Sequence, residues 1–202
     1  MAIKPLLKTT SALISSVILT SVCMISSAQA DWSLINDAST LSFVTVKADH
    51  VGEVHTFDML SGEIEDDGML SITIELTSVN TLIPIRNERM QAMLFETNMF
   101  PRATVSATID IEALGALEAG STQSLQVDFE LSVHGSETAL AADLQVTRTT
   151  EGLVASTVKP IIVTADSVGL VAGVEQLREV AGLPIISRAV PVSFSVVFEQ
   201  GH

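Results

Sequence analysis

The sequence predicts an all-β protein, an antiparallel β-barrel of about eight strands with one or two short helices. Three observations lead there. Apolar residues recur at every second position in run after run; Leu125, Val127, Phe129, Leu131 and Val133 alternate with Gln126, Asp128, Glu130 and Ser132, the pattern of a half-buried strand. Turn residues separate successive runs by a few positions, which favours a meander of antiparallel neighbours. So many strands leave unpaired edges unless the sheet closes, and a closed barrel of about eight strands is wide enough for one slender ligand.

The chain begins with an address. Lys4 and Lys8 make a basic start, residues 13–25 are apolar but diluted by Ser and Thr, and Ala28-Gln29-Ala30 is a small-x-small cleavage site. That is the pattern of a secretory signal peptide, and the apolar stretch is too short for a membrane span. The expected domains are the leader, 1–30, and one barrel domain, 31–202, a size that buries a core without staples. The single cysteine, Cys23, falls in the leader, so no disulfide or thiolate chemistry is expected in the body. No second apolar run of about 18 residues follows, so no stable membrane insertion is expected. Loss of Lys4 and Lys8 moves the net charge from −14 to −16, which argues against nucleic acid and anionic membrane surfaces as partners. The acids are scattered and read as solubility. The expected compartment is the bacterial periplasm.

Strands are expected over 41–48, 57–64, 70–76, 105–111, 125–133, 140–146, 153–159, 161–165 and 192–198. Asp66-Asp67-Gly68, Gly120-Ser121, His134-Gly135-Ser136 and Glu151-Gly152 supply turns between them. One clearly helical run interrupts the alternation, over 84–97. Asn80 and Thr81 can cap its start, Pro84 suits its first turn and Pro101 stops it. At about 100° per residue Arg86, Arg89, Met90 and Met93 share one face. Flexible thioethers adapt to irregular ligands and guanidinium groups offer planar donors. The same residues also fit a plain helix whose methionines are core and whose arginines pair with acids. A second short helix is expected over 171–181, with Val174, Leu177 and Ala181 on one side. From the alternation, Phe43, Phe57, Met90, Met93, Phe129 and Leu131 are expected to line the lumen.

Several short pieces then occur in a telling order: Ser42-Phe43 with Lys47; His50-Val51-Gly52 leading to Phe57 and Ser61-Gly62; Ser78-Val79 with Thr81; Arg86-Asn87-Glu88-Arg89-Met90; Phe100-Pro101 with Ala103; Leu131 with Gly135; and Val190-Pro191-Val192 with Phe194. In this order and spacing, from Trp32 to Phe198, the chain resembles the YceI-like family of bacterial periplasmic proteins. The family more often has Asp where this chain has Asn87. The resemblance implies a lipocalin-like β-barrel that binds long apolar molecules, typically polyisoprenoids such as octaprenyl chains or the tail of ubiquinone.

Chemical motifs are scarce. His50, Glu53 and His55 invite a metal reading, yet the two histidines fall on opposite faces of a regular strand and further ligands are missing. His134 precedes Gly135 and reads as a turn residue. Neither G-x-S-x-G nor H-E-x-x-H occurs, and no glycine-rich phosphate loop is present. Lys47, His50 and Arg86 either meet at a barrel mouth to hold a polar head, such as a quinone carbonyl or pyrophosphate, or lie on the surface beside acids. The expected function is non-catalytic binding, transport or storage of a long-chain isoprenoid lipid, ubiquinone-like or polyprenyl, without a cofactor beyond that lipid and without a metal. Phe43, Phe57, Arg86, Arg89, Met90, Met93, Phe129 and Leu131 are the expected ligand-binding residues. A structural or partner-binding barrel filled by its own side chains is the alternative, and a hydrolase is a weaker one. Homodimerisation stays open.

Overall fold

The computed structural model describes residues 1, 32–48 and 50–201. The leader expected over 1–30 lies, Met1 apart, outside the described residues. Among the described residues there are twelve strands, and every pairing between them is antiparallel. They are β1 (Trp32–Leu34), β2 (Thr40–Lys47), β3 (Val51–Phe57), β4 (Leu60–Ile64), β5 (Met69–Glu75), β6 (Val79–Asn80), β7 (Arg102–Thr108), β8 (Thr122–Val133), β9 (Ser136–Arg148), β10 (Gly152–Thr157), β11 (Ile161–Thr164) and β12 (Ala189–Gln200). The ring β1-β4-β5-β7-β8-β9-β10-β12 closes through the β1–β12 pairing. These twelve strands occupy eight barrel positions. β12 carries β1 and β2 end to end along one edge, and β10 and β11 along the other. β3 and β4 likewise share a position, as do β5 and β6.

The breaks within positions explain where the sequence reading was too simple. Of the strand expected over 57–64, residues 60–64 form β4; Phe57 instead ends β3, a strand not anticipated, and the two part at Asp58-Met59. Phe57 and Leu60 both face the lumen, three residues apart, so the two-residue period changes phase between them. The junction is held by polar side chains: Asn36 Oδ1 accepts from the Leu60 N–H at 2.7 Å, and Asp58 accepts from the Thr56 hydroxyl at 2.7 Å and Asn80 Nδ2 at 2.8 Å. The strand expected over 105–111 begins earlier and stops at Thr108. Asp110 accepts from the Ala113 N–H at 2.9 Å and caps a short helix, α2 (Ile111–Gly115). β1 and β6, both very short, were not anticipated.

The helix expected over 84–97 is α1 (Pro84–Arg89) continued by a π-helical turn, Met90–Leu94. The Phe95 N–H donates to the Met90 carbonyl at 2.9 Å, the five-residue bond of that geometry. Asn80 and Thr81 do not cap the helix. Asn87 Oδ1 instead accepts from both the N–H and the hydroxyl of Thr81, and Asn80 Oδ1 accepts from the Leu82 N–H. The second helix, α3 (Val171–Val180), lies where expected. It packs so closely on the π turn that a Cβ on Gly173 would sit 2.7 Å from the Met93 carbonyl oxygen, so only glycine fits there. α1 and α3 stand at one end of the barrel. At the other, α2 buries Leu114. One buried cluster around Phe43, Leu76, Met90 and Phe95 serves the first end, and one around Trp32, Ile64, Leu144 and Phe198 serves the second.

Candidate functional site

The lumen is a cavity of about 550 Å³ lined by the inward residues of nearly every strand, within the range of sites that bury small molecules. Its length follows from β8 and β9, of 12 and 13 residues. At about 3.3 Å per residue and a tilt of about 40°, strands of that length make a barrel about 30 Å tall. Lining residues run from Ile83 and Ile85 at the α1 end to Ile109 and Leu114 at the α2 end.

Of the expected site residues, Phe43, Phe57, Arg86, Arg89, Met90, Phe129 and Leu131 all border the cavity. Met93 does not, and this corrects the helical face drawn from the sequence. The five-residue bond widens the turn after Met90 and carries Met93 off the cavity side, whereas Leu94, within about 40° of Met90 even in a regular helix, stays on it. An aromatic string follows: Phe95 lies 5.7 Å from Phe57, which lies 5.2 Å from Phe43, which meets the His55 ring edge-on at 5.2 Å.

The polarity of the lining changes along β2 and β3. Inward positions run Leu41, Phe43, Thr45, Lys47 on one strand and Phe57, His55, Glu53 on its neighbour. Both turn from apolar to polar toward their hairpin. Glu53 sits between two cations, Lys47 Nζ at 2.6 Å and an Arg86 terminal nitrogen at 2.7 Å. The hydrogen bond from Lys47, and then Arg86, hold its carboxyl below the usual range against the opposing effect of burial. The other Arg86 terminal nitrogen donates to the Thr81 carbonyl at 2.7 Å. His55 is 3% exposed, and its Nε2 meets the Thr45 hydroxyl at 2.8 Å. Burial, reinforced by the charge of Arg86, pushes its pKa down, so the imidazole is neutral near pH 7. Among the described residues two buried side-chain polar atoms have no partner, His55 Nδ1 and Arg86 Nε. Such orphans are uncommon and point to a missing partner.

Lys47 and Arg86 thus meet, joined by Glu53. His50 does not join them: it sits exposed in the turn between β2 and β3. Nor do His50, Glu53 and His55 gather, since Glu53 serves the two cations and His55 serves Thr45. Thr45, Glu53 and His55 were missed as site residues. Extending the two-residue period from Phe43 and Phe57 toward the hairpin would have found them.

A closed antiparallel barrel with a long apolar lumen and one polar end is a ligand-binding barrel. The chain belongs to the YceI-like family: the YceI-like domain model matches residues 32–198. It is similar to the polyisoprenoid binding domain from Saccharophagus degradans implicated in plant cell wall breakdown, with 37% identity, 86% of this chain and 100% of that one covered, and a TM-score of 0.84. It shares its fold with Burkholderia cenocepacia BcnA at 16% identity, 81% and 98% coverage and a TM-score of 0.62. The fold also recurs in a CJ YceI protein at 13% identity, 73% and 85% coverage and a TM-score of 0.53. No curated protein matches the sequence.

Proposed function

We propose that the barrel binds one long isoprenoid lipid, ubiquinone-like or polyprenyl, and carries or stores it in the periplasm without transforming it. The observation that carries this reading is the separation within one cavity, with unpartnered polar atoms at the α1 end and apolar walls down to α2. The stretches of β8 and β9 that line the lumen, residues 125–133 and 140–146, make it about 20–25 Å long at the same rise and tilt. One long, extended apolar chain fills it. The polyisoprenoid binding of the Saccharophagus degradans domain supports the same reading.

The polar end favours a neutral head with a single acceptor, such as a quinone carbonyl. Both terminal nitrogens of Arg86 are engaged, by Glu53 and by the Thr81 carbonyl. The one Arg86 nitrogen without a protein partner is Nε, whose N–H lies beside the neutral His55. A phosphate would be better served by the two-nitrogen fork. Phe43, Phe57, Met90, Leu94, Phe129 and Leu131 hold the tail.

A hydrolase has one observation in its favour, the 2.8 Å contact between the Thr45 hydroxyl and His55. Nucleophilic catalysis also needs a group that orients the base. Here the second ring nitrogen has no partner, and Glu53 is engaged elsewhere.

Native mass spectrometry of the purified protein, followed by organic extraction, tests the reading directly. Titration with a quinone series of increasing tail length tests its mechanism. Each buried methylene stabilises by about 0.8 kcal/mol, partly offset by ordering the chain. Affinity should rise with isoprene number until the lumen is full, then level off. Equal affinity for tailless and long-tailed quinones would refute it.

A further inference from the structure

The rim at the α1 end of the lumen has an unusual surface. Leu82, Ile83, Pro84 and Ile85 are four consecutive exposed apolar residues at the start of α1, and Leu82 is 85% exposed. Leu82 also holds a left-handed backbone, φ 61°, which a bulky side chain rarely adopts. It does not relax because the loop is tied on both sides. The Leu82 N–H donates to Asn80 Oδ1 at 3.0 Å, and the Thr81 carbonyl accepts from Arg86 at 2.7 Å. Strain that the surroundings maintain, ending in an exposed leucine, points to a use for that leucine.

The other sides of the opening repeat the theme. Lys47, Glu53 and Arg86 join α1 to the β2–β3 hairpin, whose Val51 is 46% exposed. The Ala48 N–H donates to the Ile185 carbonyl, so the segment after α3 completes the rim, with Ile185 itself 49% exposed. Ile83 and Ile85 are both exposed and part of the cavity lining. The apolar surface is therefore continuous from outside into the lumen.

We infer that this rim docks on the surface of a zwitterionic phospholipid bilayer, with Leu82 and Ile85 in the boundary between headgroups and acyl chains. The lipid then passes between bilayer and lumen without crossing water. The inference rests on the lipid-binding reading of the barrel. Continuity with the cavity selects a bilayer as the occupant, since that is where a long isoprenoid resides. Charge selects the kind of bilayer. The chain carries a net −14, so anionic lipids repel it at long range; at the rim Glu53 offsets one of the two cations Lys47 and Arg86 and Arg89 adds a third, which suits the phosphates of zwitterionic headgroups, while apolar insertion holds the attachment. A second copy of the chain would bring the same negative charge against this face.

The test adds vesicles to Leu82→Trp and Leu82→Asn variants. Trp32 is the one native tryptophan and is 2% exposed, so a change in emission on adding vesicles reports position 82. With phosphatidylcholine vesicles, emission of Leu82→Trp should shift to the blue, and less so when phosphatidylglycerol is mixed in. Asparagine tolerates the left-handed backbone, so Leu82→Asn should stay folded, keep its lipid by native mass spectrometry, and sediment with phosphatidylcholine vesicles about tenfold less. Absence of both the shift and sedimentation would overturn the inference. So would a blue shift that grows with protein concentration in the absence of vesicles, because a second copy would then cover the rim. Lipid in the barrel without docking refutes docking alone. Docking with an empty barrel supports the rim and refutes the lipid-binding reading.

Discussion

Replacing Ala142 with phenylalanine separates a ligand cavity from an ordinary core by the sign of its effect. Ala142 is 3% exposed and faces the lumen from β9, opposite Val127 on β8. In a core filled by its own side chains the added ring has no room, and overpacking destabilises by about 1–3 kcal/mol. Beside a cavity of about 550 Å³ the ring enters free space. Burying it stabilises by about 1.5–3 kcal/mol, offset by up to about 1 kcal/mol of lost rotamer freedom. The unliganded protein should gain about 1–2 kcal/mol, or about 2–8 °C in Tm for a chain of this size. The ring also displaces roughly six tail carbons, at about 0.8 kcal/mol each. Long-tailed ligands should lose about a thousandfold in affinity, while tails that end above Ala142 keep theirs. Scanning calorimetry without ligand and a titration with two tail lengths read both effects. A lower Tm with no change in ligand affinity would mean that the lumen is packed, and the binding argument would fall.

Two further predictions concern the helix and the polar end. Leu94→Arg should abolish long-tail binding by placing an unpaired charge against the chain; Met93→Arg should leave it nearly unchanged, since Met93 is outside the lining, and equal effects in a titration would contradict the π-turn geometry. For His55 the folded pKa is depressed, so below about pH 6.5 the unfolded chain takes up a proton that the fold resists. Stability should therefore fall with pH from about 6.5 until the folded pKa is reached, at up to about 1.4 kcal/mol per pH unit; Glu53, also depressed, acts later, its contribution being lost only as pH falls below the ordinary carboxylate range. Urea midpoints from pH 7 to 5 should decline in the parent and stay flatter in His55→Gln, and parallel curves would show that burial of His55 is not the cause.

The barrel was legible because its walls obey one rule. From Leu125 to Val133 on β8 and from Val190 to Phe198 on β12 every second residue is apolar and faces the lumen, and alternation of that kind carries both the strand and its inward face. The rule failed where a strand changes phase. At Asp58-Met59 the shift is made by Asn36 and Asp58, whose partners are distant in sequence, and no local pattern shows such contacts. At 109–111 the apolar period ran on into α2 because Ile109 and Ile111 suit a strand, and the cap at Asp110 was the competing signal. After α1 the local error was of geometry: helical spacing was read as 3.6 residues per turn throughout, and the wider π turn carries Met93 off the face that Leu94 keeps.

The polar end was harder to read for a different reason. Alternation tells which face a residue occupies, but not how far along the barrel it lies. Phe43, Thr45 and Lys47 share a face, and so do Phe57, His55 and Glu53; what divides tail from head is position along two paired strands. The register between those strands sets Phe43 against His55 and Thr45 against Glu53, and α1 then lays Arg86 across the pair. Glu53 is the residue on which the arrangement turns. It draws Lys47 and one terminal nitrogen of Arg86 toward the protein, the Thr81 carbonyl takes the other, and the cations are kept from forming an anion clamp. Arg86 is left with one unpartnered nitrogen, Nε, beside an uncharged imidazole. An acid in a lipid cavity is costly unless paired, and here the pairing confines polarity to one end and leaves the remaining lumen apolar.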